Sequence, residues 1–207
     1  MTIVRDPQYD LVWGRDHATR SLLALWPGDS PRILNLGSKD TDYGGVNVDI
    51  VRTGAVDVQG TALYLPFRKA SFDVVVFSEV LEHLPRGSEM TALREISGVL
   101  AKGGTMILTT PIDTLVYTLS DPYFFFRGHR HYRKRALLDM LQEAGFAVED
   151  IGVRGGIEER IWTYAHTLFV IPMNRPLPLW IRRMITRIYQ EENPRGSTLS
   201  VVAHPSV

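Results

Sequence analysis

An almost uninterrupted apolar run, Phe72–Phe77 ("FDVVVF"), restricts the fold of this chain more than any other feature. A strand that is apolar on both faces belongs in the middle of a parallel sheet whose faces are covered by helices. Helical periodicity marks residues 16–26, 91–100 and 133–146, and strand-like segments lie at 32–37, 44–50, 55–60, 105–111, 147–153 and 197–205. The glycines at 103–104 are expected to end the second helix. Strands that alternate with helices predict an α/β fold with a mainly parallel sheet and right-handed crossovers.

The composition limits the class of protein. With 207 residues, 44% hydrophobic and 22% charged, the chain fits one soluble globular domain. We expect a single domain over 1–207, with a helical cap in 1–30 and substrate-side lids in 112–135 and 155–195. A net charge of zero gives no general attraction to nucleic acid. The absence of cysteine excludes thiolate metal sites, and no other metal site is predicted. Neither a secretory leader nor a membrane-spanning run is visible, so we expect a cytoplasmic protein.

Polar side chains follow the central strand without an intervening glycine: Ser78, Glu79, Glu82 and His83. Ligands of open parallel sheets bind beyond the carboxyl ends of the strands, so this exit predicts a ligand crevice. The two glutamates also fit a second interpretation, in which they complement the dipole of a following helix. His83 has a side chain whose pKa lies near neutrality, so it is a candidate base as well as a local hydrogen-bonding group.

The connection after the first strand discriminates between nucleotide cofactors. A dinucleotide site needs G-x-G-x-x-G opening a helix and an acidic residue about 20 residues later. Here Gly37 stands alone, Asp49 follows after twelve residues, and 38–45 is too short for a helix and its return. A nicotinamide-dependent oxidoreductase is therefore disfavoured. S-adenosylmethionine has no phosphate, so a close backbone approach at Gly37 and an acceptor for the ribose hydroxyls at Asp49 suffice.

Five segments carry a resemblance to a known family. They are "ILNLGS", "VNVDI", "GTALYLPFRKASFDVVVFSEVLEHLP", "ALREISGVLAKGGTMILTTP" and, more loosely, "GHRHYRKRALLDMLQEAGF". Together they resemble the class I S-adenosylmethionine-dependent methyltransferases of the type 11 family, in a variant with a short first loop. The resemblance implies a doubly wound, mostly parallel, seven-stranded Rossmann-like sheet with helices on both faces. It also implies methyl transfer with S-adenosylmethionine as cofactor.

The resemblance also implies site residues. Gly37 would let the backbone approach the cofactor, Asp49 would hold the ribose, and Ile50 would pack on the adenine. The remaining expected cofactor residues are Asn35, Ser38, Thr61, Ala62, Ser78 and Glu79. The first loop departs from the family pattern, because Asn35 stands in place of an acid and Ser38, Lys39 and Asp40 stand in place of glycines.

Residues 124–135 concentrate five basic residues and two histidines without an acid. This run is either a solvated basic face or a lid that binds an anionic substrate through Arg127, Arg130 and Tyr132. If the methyl acceptor is a hydroxyl, the candidate bases are His129, His131 and His83.

We therefore expect an S-adenosylmethionine-dependent methyltransferase that methylates oxygen or nitrogen of a small molecule or of a glycan or cell-envelope intermediate. The alternative is a degenerate member of the fold that binds or assembles without catalysis. The expected partner is a small-molecule substrate, anionic or sugar-like, and not nucleic acid. Residues 157–190 are rich in large apolar side chains and arginine. They leave peripheral membrane contact and a homodimer open as alternatives to a substrate-side cover.

Overall fold

The protein is described by a computed structural model, in which residues 13–24, 26, 30–119, 128–158, 161 and 178–206 are placed well enough to describe. The strands are β1 (Ile33–Leu36), β2 (Val46–Asp49), β3 (Val58–Gln59), β4 (Phe72–Ser78), β5 (Leu100–Pro111), β6 (Phe146–Arg154) and β7 (Thr198–Pro205). The α-helices are α1 (Trp13–Ala24), α2 (Glu89–Val99), α3 (Leu115–Leu119), α4 (Lys134–Glu143) and α5 (Leu179–Gln190). A short 3₁₀ turn, Leu81–His83, follows β4.

The strands form one seven-stranded sheet in the order β3-β2-β1-β4-β5-β7-β6. The pairs from β3 to β5 are parallel, and β7 is antiparallel to β5. The order reverses direction between β1 and β4, which is the switch point where ligands of open α/β sheets bind. The predicted fold is confirmed.

Burial explains the central place of β4. Val75, Val76 and Phe77 are completely buried, and so is Leu34 of the neighbouring β1. The helix α2 buries Leu93 and Ile96 among its apolar residues, in the spacing of one helical face. The hydrophobic pattern of the chain therefore fixes which strand is central and which side of α2 is buried.

The end of α2 differs from the expectation. The helix stops at Val99, and the strand β5 begins at Leu100, so the glycines expected to end the helix lie inside the strand. Leu100 pairs with Phe72, and the pairing then shifts register before Val74. A Cβ on Gly104 would come within about 3.0 Å of the Asp73 carbonyl oxygen. Gly104 therefore allows close strand pairing beside the irregularity, and Gly103 has a left-handed φ of +75°.

The chain divides into two compact units, Trp26–Gly152 with Thr198–Val207 and Met1–Leu25 with Val153–Ser197. In the second unit, the buried face of α5 (Ile181, Ile185 and Tyr189) packs against side chains that include Ala18 of α1. The expected lids at 112–135 and 155–195 and the cap at 1–30 each lie partly outside the described residues. Their roles stay predictions. Among the described helices, none combines the length and the hydropathy needed to cross a bilayer.

Candidate functional site

The connection between β1 and β2 consists of turns rather than a helix. The backbone amides of Gly37 and Ser38 both donate to the Val48 carbonyl oxygen, at N–O distances of 2.8 and 3.2 Å. These bonds fold the loop back onto the end of β2. The sequence prediction that this segment has no room for a helix is confirmed.

The buried side chain of Asn35 holds this loop by hydrogen bonds. Its amide nitrogen donates to the Thr41 carbonyl oxygen at 2.8 Å and to Asn47 Oδ1 at 3.1 Å. Asn47 in turn donates to the carboxylate of Asp42, which also accepts a bond from the Gly44 amide. Asn35 is buried, so its amide has to find protein partners, and the loop supplies them.

The carboxylate of Asp49 also holds this loop, by accepting two backbone hydrogen bonds. One carboxylate oxygen accepts the backbone amide of Lys39 and the other accepts the amide of Val51, each at 2.8 Å. A carboxylate has about four acceptor positions, so two positions are left for hydroxyl donors. Asp49 is only half-buried, and it lines the cavity described next.

A cavity of about 650 Å³ lies at the carboxyl ends of β1, β2 and β4. Six of the nine predicted cofactor residues line it: Gly37, Asp49, Ile50, Thr61, Ala62 and Glu79. The predicted candidate base His83 lines it too. At its edge, Ile50 is 68% exposed and Val51 is 59% exposed, which is unusual for large apolar side chains. The wall therefore offers apolar surface to a flat ring and a carboxylate to hydroxyl groups.

The other three predicted cofactor residues lie behind this wall. The amide of Asn35 is engaged within the loop, as described above. Ser38 is buried, and the Ser78 hydroxyl is hydrogen-bonded to Thr109 Oγ1 of β5 at 2.7 Å. None of the three lines the cavity, so their roles as direct contacts stay predictions.

Two backbone positions at the floor of the cavity have left-handed conformations. Gly37 has φ +71°, and a Cβ added there would lie 2.3 Å from Cγ2 of Val80. Glu79 has φ +55°, which is costly for a residue with a side chain. This turn redirects the chain at the exit of β4, so that Glu79, Val80 and His83 all reach the cavity.

Beside the cavity lies a cluster that we call the Glu82 cluster, formed by Glu82, His83 and His129. Their ligand-type atoms all lie within 4.8 Å of one another. Glu82 Oε1 is 3.6 Å from His129 Nε2, an ion-pair distance that is too long for a hydrogen bond. Glu82 Oε2 accepts a bond from Thr110 Oγ1 at 3.1 Å. Burial, reinforced by the charge of Glu79 and opposed by His129, raises the pKa of Glu82 from 4.5 to about 7.

Arg130 and Tyr132, predicted as substrate-binding residues, tie the segment that carries His129 to the turn after β4. Arg130 donates to the carbonyl oxygens of Leu81 and Leu84 at 2.8 and 2.6 Å, and it pairs with Glu89. The Tyr132 hydroxyl donates to the Leu81 oxygen at 3.2 Å, and burial raises the pKa of this hydroxyl. Their described contacts are structural. Substrate binding by these two residues stays a prediction.

Arg127 is predicted to bind substrate, and His131 is predicted as a candidate base. Arg127 lies outside the described residues. The ring of His131 is 5.8 Å from that of His129, and its Nδ1 contacts the Ile112 carbonyl oxygen and Thr118 Oγ1. His131 is therefore beside the Glu82 cluster, but it does not line the cavity.

Sequence reasoning did not identify every residue of the site. Val51, Thr53, Leu63, Val80, Leu84 and Pro85 also line the cavity. Val51 directly follows the strand that ends at Asp49, and this position is the signal that could have found it. The partnership of Glu82 with His129 could not be read from the sequence, because it depends on how residues 128–132 return to the turn.

The comparisons with known proteins agree with this geometry. A sequence profile described as "Methyltransferase domain" (type 11) matches residues 38–108. No curated protein sequence matches the chain significantly.

Solved structures share the fold over nearly the whole chain. A methyltransferase candidate from Bacillus halodurans is 19% identical, with a TM-score of 0.64, over 94% of this chain and all of its own. The 1,6-didemethyltoxoflavin N1-methyltransferase of Burkholderia thailandensis, solved with its substrate and S-adenosylhomocysteine, is 14% identical. Its TM-score is 0.63, over 97% of this chain and 81% of its own. The [4+2]-cyclase SpnF is 18% identical, with a TM-score of 0.58, over 92% and 82% of the two chains.

The profile match supports an enzyme that uses S-adenosylmethionine, and the solved neighbours share the fold of this chain. The residues of the cavity fit this molecule, since they combine a carboxylate that has acceptor capacity with apolar edges. Residues 38–108 therefore match the methyltransferase domain of the type 11 family, and the chain has a Rossmann-like methyltransferase fold, as the sequence predicts.

Proposed function

We propose that the protein binds S-adenosylmethionine in the cavity at the ends of β1, β2 and β4 and methylates a small-molecule acceptor there. The observation that carries this proposal is the cavity itself. It is large enough for a nucleoside-sized ligand, it lies at the switch point of the sheet, and it is lined by Asp49, Ile50 and Gly37.

The residues that line the cavity would bind different parts of the cofactor. Asp49 would accept hydrogen bonds from the ribose hydroxyls, and Ile50 and Val51 would cover the adenine. Bound S-adenosylmethionine supplies an activated methyl group, so the protein has to position the acceptor and exclude water. Such positioning contributes up to about 7–11 kcal/mol in favourable cases. Glu79 and His83 line the side of the cavity nearest the Glu82 cluster, where we place the acceptor.

The acceptor class that we propose is a small molecule or a glycan or cell-envelope intermediate, methylated on oxygen or nitrogen. A fold neighbour whose structure contains a small heterocyclic substrate supports the small-molecule part. The sequence also leads us to expect that Arg130 binds an anionic substrate. Its contacts do not support this expectation, because the guanidinium is held by Glu89 and two carbonyl oxygens. The cytoplasmic location and the absence of a nucleic-acid partner stay predictions.

The start of α5 supports a further contact surface. Leu179 and Trp180 are 70% and 61% exposed, and Arg183 and Arg187 follow on the same helix. This combination fits either an anionic membrane surface or a second subunit. Both stay predictions from the sequence.

A second candidate function, ligand binding without methyl transfer, is favoured by one observation. The Asp49 carboxylate is already bonded to two backbone amides of its own loop, so it serves the architecture even without a ligand. A fold neighbour described as a [4+2]-cyclase illustrates that this fold is not tied to one chemistry.

Isothermal titration of the purified protein with S-adenosylmethionine and S-adenosylhomocysteine tests the proposal. We expect saturable binding of both, and at least tenfold weaker binding by Asp49→Ala, equivalent to about 1.4 kcal/mol. Asp40→Ala is the matched control, because Asp40 belongs to the same loop and does not line the cavity. Circular dichroism establishes that the variants are folded.

A methyl-transfer assay with a panel of acceptors separates the two candidates. Binding of both compounds followed by no methyl transfer to any acceptor in a substrate panel would favour the binding protein. No heat with either compound at millimolar concentration would refute the cofactor assignment.

A further inference from the structure

The Glu82 cluster has the composition of a metal site. One carboxylate and two imidazoles are brought together by two separate parts of the chain, and their ligand-type atoms lie within 4.8 Å of one another. A carboxylate with two histidines, arranged around open positions, is a ligand set of catalytic zinc and of non-haem iron. We propose that Glu82, His83 and His129 bind one divalent first-row transition cation at the edge of the cofactor cavity.

A buried oxygen that makes no hydrogen bond, and whose described neighbour is the ion-paired His129, supports the proposal. Glu82 is 2% exposed, and its Oε1 has no hydrogen-bond partner among the described residues. A buried carboxylate oxygen normally has a partner, and an orphaned one calls for an explanation such as a bound ion. This oxygen is the one that faces His129 Nε2.

The spacing suits a cation. Metal bonds to histidine nitrogen and carboxylate oxygen are about 2.0–2.2 Å long, so tetrahedral ligand atoms lie about 3.4 Å apart. Glu82 Oε1 and His129 Nε2 are 3.6 Å apart. The other ligand-type atoms of the cluster lie within 4.8 Å of one another, so a cation would have to draw the wider pairs together by side-chain rotation.

The surroundings hold two of the ligands in place. Thr110 Oγ1 donates to the second oxygen of Glu82, which orients the carboxylate. Arg130, which directly follows His129, and Tyr132 both donate to the Leu81 carbonyl oxygen and so fasten this segment to the turn. Outer hydrogen bonds of this kind typically change metal affinity 10- to 100-fold when they are removed.

The donor set also restricts the ion. Imidazole nitrogens favour zinc, iron, cobalt and nickel over magnesium, which prefers oxygen ligands. Zinc is therefore the better probe, manganese is a weaker-binding ion that is useful because it is paramagnetic, and magnesium should compete poorly. The adjacent carboxylate of Glu79 adds negative charge, since it contributes to the raised pKa of Glu82.

The substrate class follows if the proposed function holds, on which this step rests. His83 belongs both to the cluster and to the cavity wall, so a cation there would reach the acceptor. A cation lowers the pKa of a hydroxyl that binds to it. The hydroxyl proton would leave to water, and the oxygen would form the new bond to the methyl carbon as the sulfur–carbon bond breaks and its electron pair stays on sulfur. The acceptor is then a hydroxyl compound and the reaction an O-methylation.

The test begins with metal alone. Chelator-treated, dialysed protein is titrated with Mn²⁺, followed by the electron paramagnetic resonance of free Mn²⁺, and with Zn²⁺ by calorimetry. We expect one ion per chain and at least tenfold weaker binding in Glu82→Gln, His129→Ala and His83→Gln. The exposed His83 gives a variant that should fold even if the buried changes do not.

A histidine elsewhere supplies the control. His204 pairs with Glu149 at 2.6 Å and contacts Gly104, at the other end of β5 from Thr110. His204→Gln should bind metal like the wild type. Equal affinity of all variants, or no binding by the wild type, would overturn the proposal. S-adenosylhomocysteine titrated into the chelated wild type reports on the proposed function alone, so the two can fail separately.

Discussion

Asp49 has two tasks in this structure. Its carboxylate fixes the loop after β1 through the amides of Lys39 and Val51, and it presents its remaining acceptor capacity to the cavity. These hydrogen bonds therefore maintain the loop conformation without the glycine-rich helix N-terminus that a dinucleotide site uses. A single residue links the architecture of the loop to the expected ribose contact.

Gly37 provides a second test at the scale of a residue. Gly37→Ala would place a methyl group against Val80 and force a side chain into a left-handed conformation. We expect a loss of about 1–3 kcal/mol in the free energy of unfolding, measured by urea denaturation, and weaker cofactor binding. Gly54→Ala is the control, since a Cβ there meets nothing within 4 Å. Equal stability of the two variants would contradict the described floor of the cavity.

In the metal-free protein, Glu82 makes the free energy of unfolding depend on pH. Because its pKa is raised to about 7 on folding, the folded state holds the proton more tightly than the unfolded chain does. Stability therefore falls as pH rises from about 4.5 to about 7, and the cost is complete above that range. Glu82→Gln should remove this slope and should be more stable than the wild type at pH 8, by up to about 3 kcal/mol.

Denaturant titrations at pH 5 and pH 8, with chelator present, provide the measurement. The charge of Glu79 and the ring of His129 face the same carboxylate, so both residues are kept unchanged in the comparison. Parallel pH profiles of wild type and variant would contradict the burial of an ionisable Glu82.

At the scale of elements, the turn after β4 and the segment 128–132 form one unit. Arg130 spans two carbonyl oxygens of the turn and the carboxylate of Glu89 at the start of α2. The bridge between Ile112 and Tyr132 joins the same segment to the end of β5. The segment that follows the histidine facing Glu82 is therefore held both by the turn and by the end of β5.

Two arginines of this segment should differ sharply in their contribution to stability. Arg130→Gln leaves carbonyl oxygens and a carboxylate of a half-buried site without their donor, so we expect a loss of about 2–4 kcal/mol. Arg133 pairs with Asp113 but is 80% exposed, and Arg133→Gln should cost less than about 1 kcal/mol. Urea unfolding of both variants measures this. Similar losses would show that Arg130 is a surface residue after all.

The same elements show how far sequence reasoning reaches. Apolar runs and helical periodicity predict the central strand and the alternation of strands with helices, because burial decides both. The boundary between α2 and β5 was predicted wrongly, since a strand irregularity rather than a helix end uses its glycines. Contacts such as Arg130 to Leu81 join residues far apart in sequence, and no local pattern encodes them.

At the scale of the whole molecule, fold and chemistry have to be separated. The sheet order and the fold neighbours identify the architecture, while proteins described as a methyltransferase and as a [4+2]-cyclase share it. Under our two proposals, the activity of this chain depends on the residues of the cavity and of the Glu82 cluster. The sequence predicts the position of that cavity best, because it lies at the carboxyl ends of apolar strands that are easy to identify.

The most direct measurement is a crystal structure of the protein with S-adenosylhomocysteine at saturating concentration. We predict the adenosyl group in the cavity, with its ribose hydroxyls within hydrogen-bonding distance of Asp49 and its adenine against Ile50. A ligand bound elsewhere, or a cavity that stays without ligand density, would contradict the account.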